Sequence, residues 1–560
     1  MDVDEKDPEK DEVPPHHSKS PPRRPTGPYE SDNVDDDIER QKTREQGAQA
    51  EKQAQEKDPN LVEWNGSDDP GNPMNWPQWW KWTVTITLGM MTFCITFASS
   101  VFSTATVVTA EKFGVSTEVM TLGTSLFVLG FAFGPIVWGP LSELYGRKYP
   151  LFFGFFVFAI FQIPVAVAQN LQTIMICRFF GGFFGSAPLA IVGGALADFW
   201  DPIDRGIAVC IFAGATFIGP VAGPIVGGFI TMSHLGWRWT EYITAIMGFF
   251  FGTIGFLVVP ETFAPVLLQR RAKKIRYETR NWAIHSKHDE NQVDMRYIVR
   301  KYILRPFAMI VLEPILLLVT LYVSALPLSL IHHGSGVNIR QMAVVYGILY
   351  LFFESYPIAF QETRGWNEGV GALPFLSITV GVVIGGALIT WTTKTRFARK
   401  LEKHGRVIPE ERLIPMIIGG FLFPAGMFWF AWTSSPNISP WPQIVSGVPI
   451  GAGILMIFLQ GLNYIIDVYM MNANSAIAAN TLLRSFAGAG FPLFAVAICS
   501  PFEMRERFRL MPHYLRYHTL GVDWATSLLA FIAVALFPVP ILFYIYGSRI
   551  RKLSRYSPSA

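Results

Sequence analysis

Along the chain, uncharged apolar blocks of about twenty residues alternate with short polar turns, and that length crosses a ~30 Å hydrocarbon layer as a helix. The first blocks lie at approximately 82–108, 119–140, 149–168, 171–198, 206–232 and 240–260. A polar stretch, 261–306, carries Gln269-Arg270-Arg271-Ala272-Lys273-Lys274-Ile275-Arg276, and apolar blocks resume over 307–547. The pattern predicts an all-α membrane protein of about twelve transmembrane helices in two six-helix halves, 77–260 and 307–547, joined by a central cytosolic loop. Residues 1–76 are rich in Asp, Glu, Lys, Pro and Gln, so they cannot offset their ordering entropy and are expected to form a disordered cytosolic tail. The first apolar block starts too far along to be a cleavable signal peptide. A short cytosolic tail, 548–560, is expected to close the chain.

Charge adds orientation. Basic clusters fall at Arg147-Lys148, 270–276, 394–403 and 549–555, on alternate loops, so both termini are expected in the cytosol. Asn437-Ile438-Ser439 then lies in an outward loop as a glycosylation candidate, whereas Asn65-Gly66-Ser67 does not. Two segments break the parity. Ala325–Val344 interrupts the seventh block with His332-His333-Gly334-Ser335-Gly336, and 499–516 places Arg505, Arg507, Arg509 and Arg516 on the outer face. Removing Ala325–Val344 restores one span, so both are read as retained, translated introns, with genuine loops as the alternative. Overall, 46 Lys and Arg nearly balance 43 Asp and Glu, so bulk charge gives no reason to expect a nucleic-acid partner. Cys94, Cys177, Cys210 and Cys499 lie in or at the end of apolar blocks with no metal-ligand spacing and read as packing residues. No cofactor is implied.

After the second block the chain reads Gly139-Pro140-Leu141-Ser142-Glu143-Leu144-Tyr145-Gly146-Arg147-Lys148, a glycine-punctuated turn able to act as a latch. Its glycines let helices approach, and Glu143 can pair with a cation or a helix N-terminus. This resembles the signature loop G-x-L-x-D-x-x-G-R-K of the major facilitator superfamily, with Glu143 in place of the usual Asp. The fifth block, Gly214 to Gly228, sets small residues about every four positions, Gly219, Gly223 and Gly227 among them, with Pro220 and Pro224 between. Such a face permits close helix packing. Its G-P-x-x-G-P-x-x-G-G form, closing on Gly227-Gly228, is similar to the antiporter motif of the drug:proton branch, which implies export. Gly236-Trp237-Arg238-Trp239-Thr240-Glu241-Tyr242, Pro260-Glu261-Thr262-Phe263 and Gly365-Trp366-Asn367-Glu368-Gly369 extend the likeness to fungal twelve-span multidrug and polyamine exporters. The resemblance implies a plasma-membrane address.

Ionisable residues inside spans are costly and default to functional candidates. Arg178, in the fourth block, takes the position of the superfamily's span-4 arginine, which the resemblance links to proton transfer. Glu354, amid Phe352, Phe353 and Tyr356, is a candidate substrate or proton carboxylate. Glu241 is a third candidate for coupling, with a structural pairing to Arg238 at the outer mouth as its plainer reading. Asp467 and Arg484, near the inner ends of the tenth and eleventh spans, are expected to be a structural pair or anchors. Asp198, Asp201 and Arg205 are read as the inner loop's counterpart to Glu143. Phe179, Phe183, Phe184, Phe352, Phe353 and Tyr356 are candidates to line a drug cavity, although aromatic helix faces are more commonly packed or lipid-exposed. No nucleotide loop, nucleophile elbow or zinc-protease pair appears, so the chain is not expected to be an enzyme. The expected activity is proton-coupled efflux of drugs, toxins or a secondary metabolite by a monomer in the lipid bilayer, with polyamine export, or a narrow-substrate transporter of the same fold, as alternatives.

Overall fold

The computed structural model describes residues 58, 60–290, 355–405, 408–469, 473–499 and 517–551. Contacts divide the chain into Met1–Leu61, where only Asp58, Asn60 and Leu61 are described, and Val62–Ala560, which holds everything below. Glu354, Phe352, Phe353, Ala325–Val344 and residues 500–516 lie outside the described residues.

Every element among the described residues is helical. In chain order the main ones are α1 (Gln78–Val101), α2 (Thr106–Phe113), α3 (Thr117–Leu144), α4 (Lys148–Val167), α5 (Leu171–Gly185), α6 (Ala187–Phe199), α7 (Pro202–Met232) and α8 (Arg238–Val258). Then come α9 (Ala264–Thr279), α10 (Leu376–Thr392), α11 (Leu413–Trp432), α12 (Gly447–Tyr469), α13 (Ala473–Cys499), α14 (Tyr517–Leu536) and α15 (Pro538–Arg551). Ten helical runs among the described residues are long and apolar enough to span a membrane, and α13, at 27 residues, adds another helix of spanning length.

The six blocks read from the first half reappear within a few residues as Gln78–Phe113, Thr117–Leu144, Lys148–Val167, Leu171–Phe199, Pro202–Met232 and Arg238–Val258. Turn chemistry fixes several of these starts. Ser116 caps α3 by accepting from the Val119 N–H, and Asn170 caps α5 by accepting from Thr173. The fourth run breaks at Ser186 because Pro188 has no N–H to continue the ladder.

Packing separates inner from outer faces. Phe127, Phe131, Phe155 and Phe158 are buried in the main cluster, whereas Leu257, Phe250 and Phe153 stand exposed on the outside, as a bilayer-facing surface requires. Where helices touch, glycine sets the distance. A Cβ on Gly182 of α5 would lie 2.0 Å from the Phe127 carbonyl oxygen of α3, so a larger residue would force these two helices apart. Tyr356 is fully buried and stacked 4.2 Å from Phe375 and 5.1 Å from Phe430. It is therefore packed within the helix bundle, the commoner of the readings open to these aromatics. Phe184 stacks on Phe161 and the Phe183 ring lies 6.1 Å from that of Trp138, so these rings too are engaged in helix contacts.

Candidate functional site

Two charge clusters stand out in the first half. One lies at the end of the bundle where Arg147, Arg270 and Arg412 gather, here called the basic end. The other is buried near the far end.

At the basic end, the chain leaves α3 and must reverse within three residues to enter α4. Gly146 makes the reversal at φ 91°, a conformation that L side chains rarely adopt. A Cβ there would also sit 2.3 Å from the Glu261 carboxylate. Glu261 fills the space left by the glycine and accepts from the Arg147 N–H at 2.7 Å and the Lys148 N–H at 3.3 Å. It also accepts from its neighbours Thr262 and Phe263, both at 3.1 Å. A buried carboxylate thus sits on the N-terminus of α4, where unsatisfied N–H groups and the helix dipole favour negative charge. Glu261 thus takes a helix N-terminus, one of the two kinds of partner anticipated for Glu143. The Arg147 side chain donates to Asp198 at 3.1 Å and to Ser142 at 2.9 Å, and lies over the Phe263 ring at 4.7 Å. Thr262 donates to the same Asp198 oxygen at 3.1 Å. Of the expected trio Asp198, Asp201 and Arg205, Asp198 joins this network. Leu141 is half-buried against the main core, and Gly139 opens onto free space. Arg270 of α9 approaches Glu261 at 3.8 Å, and the next residue, Arg271, bonds Asp69 at 2.6 Å. The segment preceding α1 is thereby tied to the central loop.

The second cluster is enclosed by α1, α3, α5 and α8. Arg178 and Glu241 have fully buried side chains and meet at 3.4 Å. Arg178 also donates to the Gly123 carbonyl at 3.2 Å and the Ala98 carbonyl at 3.1 Å, and lies between the rings of Phe102 at 4.8 Å and Phe127 at 4.5 Å. The guanidinium is thus held by one carboxylate, two carbonyls and two π faces from three other helical segments and the short turn after α1. Glu241 therefore pairs with Arg178 rather than with Arg238, which instead reaches the Ala168 carbonyl at 3.2 Å. The Glu241 Oε2 atom is buried with no hydrogen-bond partner among the described residues. That leaves one carboxylate oxygen able to take a proton inside a buried cluster.

The glycine face of α7 runs against α1. A Cβ on Gly219 would come within 2.1 Å of Thr96 Oγ1, one on Gly223 within 2.1 Å of Ser100 Oγ, and one on Gly227 within 2.4 Å of Thr104 Oγ1. Gly228 faces the other half, 2.9 Å from the Glu368 carbonyl by the same construction, whereas Gly214 meets nothing within 4 Å. Pro220 and Pro224 are buried within the helix. At its far end α7 is further joined to the second half by Thr231, which donates to the Glu368 carboxylate at 3.0 Å. At its basic end, a Cβ on Gly206 would lie 3.3 Å from Thr393 and 3.5 Å from Arg412. One helix therefore touches the second half at both ends.

In the second half, Asp467 pairs with Arg412 at 3.1 Å, both nearly buried. Asp467 thus pairs with Arg412 where Arg484 was expected, and Arg484 lies over the ring of Phe458 at 4.7 Å. The signal for this was present in the sequence, since Arg484 falls well inside an apolar block while Asp467 closes one. Asn437 is exposed in the turn between α11 and α12. Arg364 holds that turn by donating to the carbonyls of Ile438, Thr433 and Ser435 at 2.8, 3.1 and 3.0 Å.

Comparison with known proteins bears on most of the chain. A family model described as Major Facilitator Superfamily matches residues 88–492. The citrinin biosynthesis cluster MFS transporter of Monascus ruber is 55% identical over 499 residues, covering 89% of this chain and 92% of that protein. The cercosporin MFS transporter of Cercospora nicotianae is 47% identical, with 89% and 91% covered. Among solved structures, the proton:xylose symporter XylE superposes with a TM-score of 0.54 at 16% identity, over 84% of this chain and 96% of that one, a likeness of fold. With its glycine-faced fifth span, its Gly146 turn between α3 and α4 and these matches along most of its length, the chain belongs to the major facilitator superfamily, a multi-pass membrane transporter of the twelve-helix fold.

Proposed function

We propose that this transporter exports small organic molecules of the fungal secondary-metabolite kind by alternating access, in exchange for protons. The observation that carries the coupling is the buried Arg178–Glu241 pair with its open Glu241 oxygen. When Glu241 is ionised, the pair is neutral and ties α8 to α5. A proton arriving at Glu241 removes the carboxylate charge and with it the Coulombic tie, while Arg178 keeps its two carbonyl bonds and its two rings. The proton thus changes how α8 is held without unseating the arginine. The relatives named for citrinin and cercosporin favour secondary metabolites as cargo.

The two contacts of α7 with the second half supply the gates. Thr231–Glu368 closes the far end and the Gly206–Arg412 approach closes the basic end, and alternating access requires one to open while the other holds. The halves, 77–260 and 307–547, rock about α7 and its partners. The basic loops support a cytosolic basic end and cytosolic termini, with Asn437 outside and open to glycosylation, for a monomer in the plasma membrane.

The test is efflux from yeast deprived of its own exporters and expressing this chain, with a cationic dye, spermidine and a fluorescent planar acid as cargo, with and without a protonophore. Loss of cargo that stops when the gradient collapses is expected, and Glu241→Gln should abolish that sensitivity. Efflux unaffected by the protonophore would remove the proton coupling. Spermidine as the sole exported cargo would turn the reading toward polyamines.

A further inference from the structure

Only residues 259–263 separate the end of α8 from α9, so α9 starts within about 20 Å of the point where the sixth span leaves the bilayer. Its side chains sort into two faces. Val266 and Ala272 are buried, and two of the cations near them are neutralised by the chain itself, Arg271 by Asp69 and Arg276 by Asp289, both at 2.6 Å. Arg270, Lys273, Lys274 and Tyr277 recur at helical spacing on the other face and stand exposed. The carboxylates beside them are weak partners. Glu261 lies 3.8 Å from a half-exposed Arg270, and Glu278 lies 3.7 Å from Lys274 with both side chains mostly in the open, a setting in which an ion pair contributes little.

This outer face adjoins the lipid-facing flank of the bundle. Arg270 lies over the Tyr149 ring at 5.6 Å, and Tyr149 opens an exposed stripe along α4 that continues through Phe153 and Ile160. Lys148, next to Tyr149, lies over the ring of Phe256 at 4.7 Å, on an α8 surface where Phe256 and Leu257 are exposed. Farther along, Tyr277 and Trp282 are 64% and 69% exposed and meet edge to face at 5.6 Å, and such rings favour the headgroup layer of a membrane. From α4 to α9 the surface therefore passes from apolar rings to a tyrosine and then to unscreened cations, the order in which a phospholipid presents acyl chain, ester and phosphate.

We propose that the outer face of α9 binds an anionic phospholipid, with Arg270, Lys273 and Lys274 on its headgroup and Tyr149 and Phe153 along its acyl chains. A guanidinium holds a phosphate with parallel donors, and the two ammonium groups add point charges one turn along the same face. A choline lipid offers the same phosphate but brings a cation of its own, which the three basic side chains repel. The anionic leaflet of a cell membrane is the cytosolic one, the leaflet that the basic end meets in the orientation proposed above. Binding itself needs only the surface of α9 and its neighbours, and neither the cargo nor the proton enters into it.

The test titrates the full-length chain in detergent with dioleoyl phosphatidylserine, dioleoyl phosphatidylcholine and water-soluble glycerophosphoserine, and counts bound molecules by native mass spectrometry. Phosphatidylserine should bind roughly tenfold tighter than phosphatidylcholine, since each basic side chain near anionic headgroups contributes about a fivefold preference and three share one headgroup. Changing Arg270→Gln, Lys273→Gln and Lys274→Gln together should erase that preference, whereas Arg270→Lys with Lys273→Arg and Lys274→Arg should keep it. Removing the same charge from another basic loop, with Lys394→Gln, Arg399→Gln and Lys403→Gln, should leave most of it. All six positions are exposed, so every variant should melt like the parent. Equal binding of the two lipids to the unaltered chain overturns the proposal, as does a preference that survives the α9 glutamines or falls equally in the other loop's variant. Glycerophosphoserine bound as tightly as the lipid overturns it too, by showing a phosphate site with no place for acyl chains. Because no step reads flux, a chain that fails to export can still show the lipid preference, and one that exports can still lack it.

Discussion

The two charge clusters of the first half use the same chemistry, arginine against carboxylate, in opposite settings. Arg178 and Glu241 are sealed among α1, α3, α5 and α8, where loss of either partner leaves a charge that no water can reach. Arg147, Asp198 and Glu261 lie at the basic end, where most of the bonds run to backbone N–H groups and hydroxyls and Arg270 adds a partly exposed cation. The contrast teaches that a buried pair is suited to sense one proton, while an edge network is suited to be made and broken as helices move. Removing single groups tests that division.

The largest effect is expected from Arg178→Ala. It strands the Glu241 carboxylate in an apolar enclosure and should cost about 3–5 kcal/mol, seen as a lowered melting temperature in detergent and loss of folded protein. Glu241→Gln should cost less, because Arg178 retains the Gly123 and Ala98 carbonyls and the rings of Phe102 and Phe127. If both variants melt like the parent, the sealed-pair description fails.

At the edge, Glu261→Gln should cost about 1–3 kcal/mol by removing the anion from the α4 N-terminus. Gly146→Ala should fall in the same range, since the backbone conformation alone accounts for about 1–2 kcal/mol and its Cβ would meet the Glu261 carboxylate. Both should slow transport more than they lower the melting temperature, because this end of the bundle has to open. The reverse order, stability lost with rate unchanged, would make the turn a plain structural cap.

Much of this was legible in the sequence, for definite reasons. Span limits follow from where charges and caps stop an apolar run, so α3, α4 and α7 lie close to where the pattern placed them. The glycine face of α7 was legible because helical periodicity alone assigns Gly219, Gly223 and Gly227 to one side. What sequence spacing could not supply was partnership between distant helices. Arg238 is three residues from Glu241 and looked like its partner, but at the mouth of α8 it reaches the Ala168 carbonyl in the turn between α4 and α5, and the buried side of the helix presents Glu241 to Arg178. Glu143 lies inside the recognised motif, yet Glu261, more than a hundred residues on, holds the turn. The carboxylate at the end of the sixth block, beside Pro260, was the only trace of it.

The smallest effect concerns the tether from Asp69 to Arg271, which extends the edge network onto the segment before α1. The Arg271 bond, with the N–H groups of Asn65 and Gly71, holds the Asp69 carboxyl down at about 2 against an ordinary 3.8. A carboxyl depressed in the folded state adds stability that is complete above its ordinary value and is lost as pH falls through the depressed one. The tether should therefore stay intact from about pH 5 to 8, and Asp69→Asn should shift the melting temperature by the same small amount throughout that range. A pH-dependent difference between parent and variant near neutrality would mean that another group governs this contact. If Asp69→Asn changed transport as strongly as Glu261→Gln, the edge network would extend beyond the α3–α4 turn, with the segment before α1 among its moving parts.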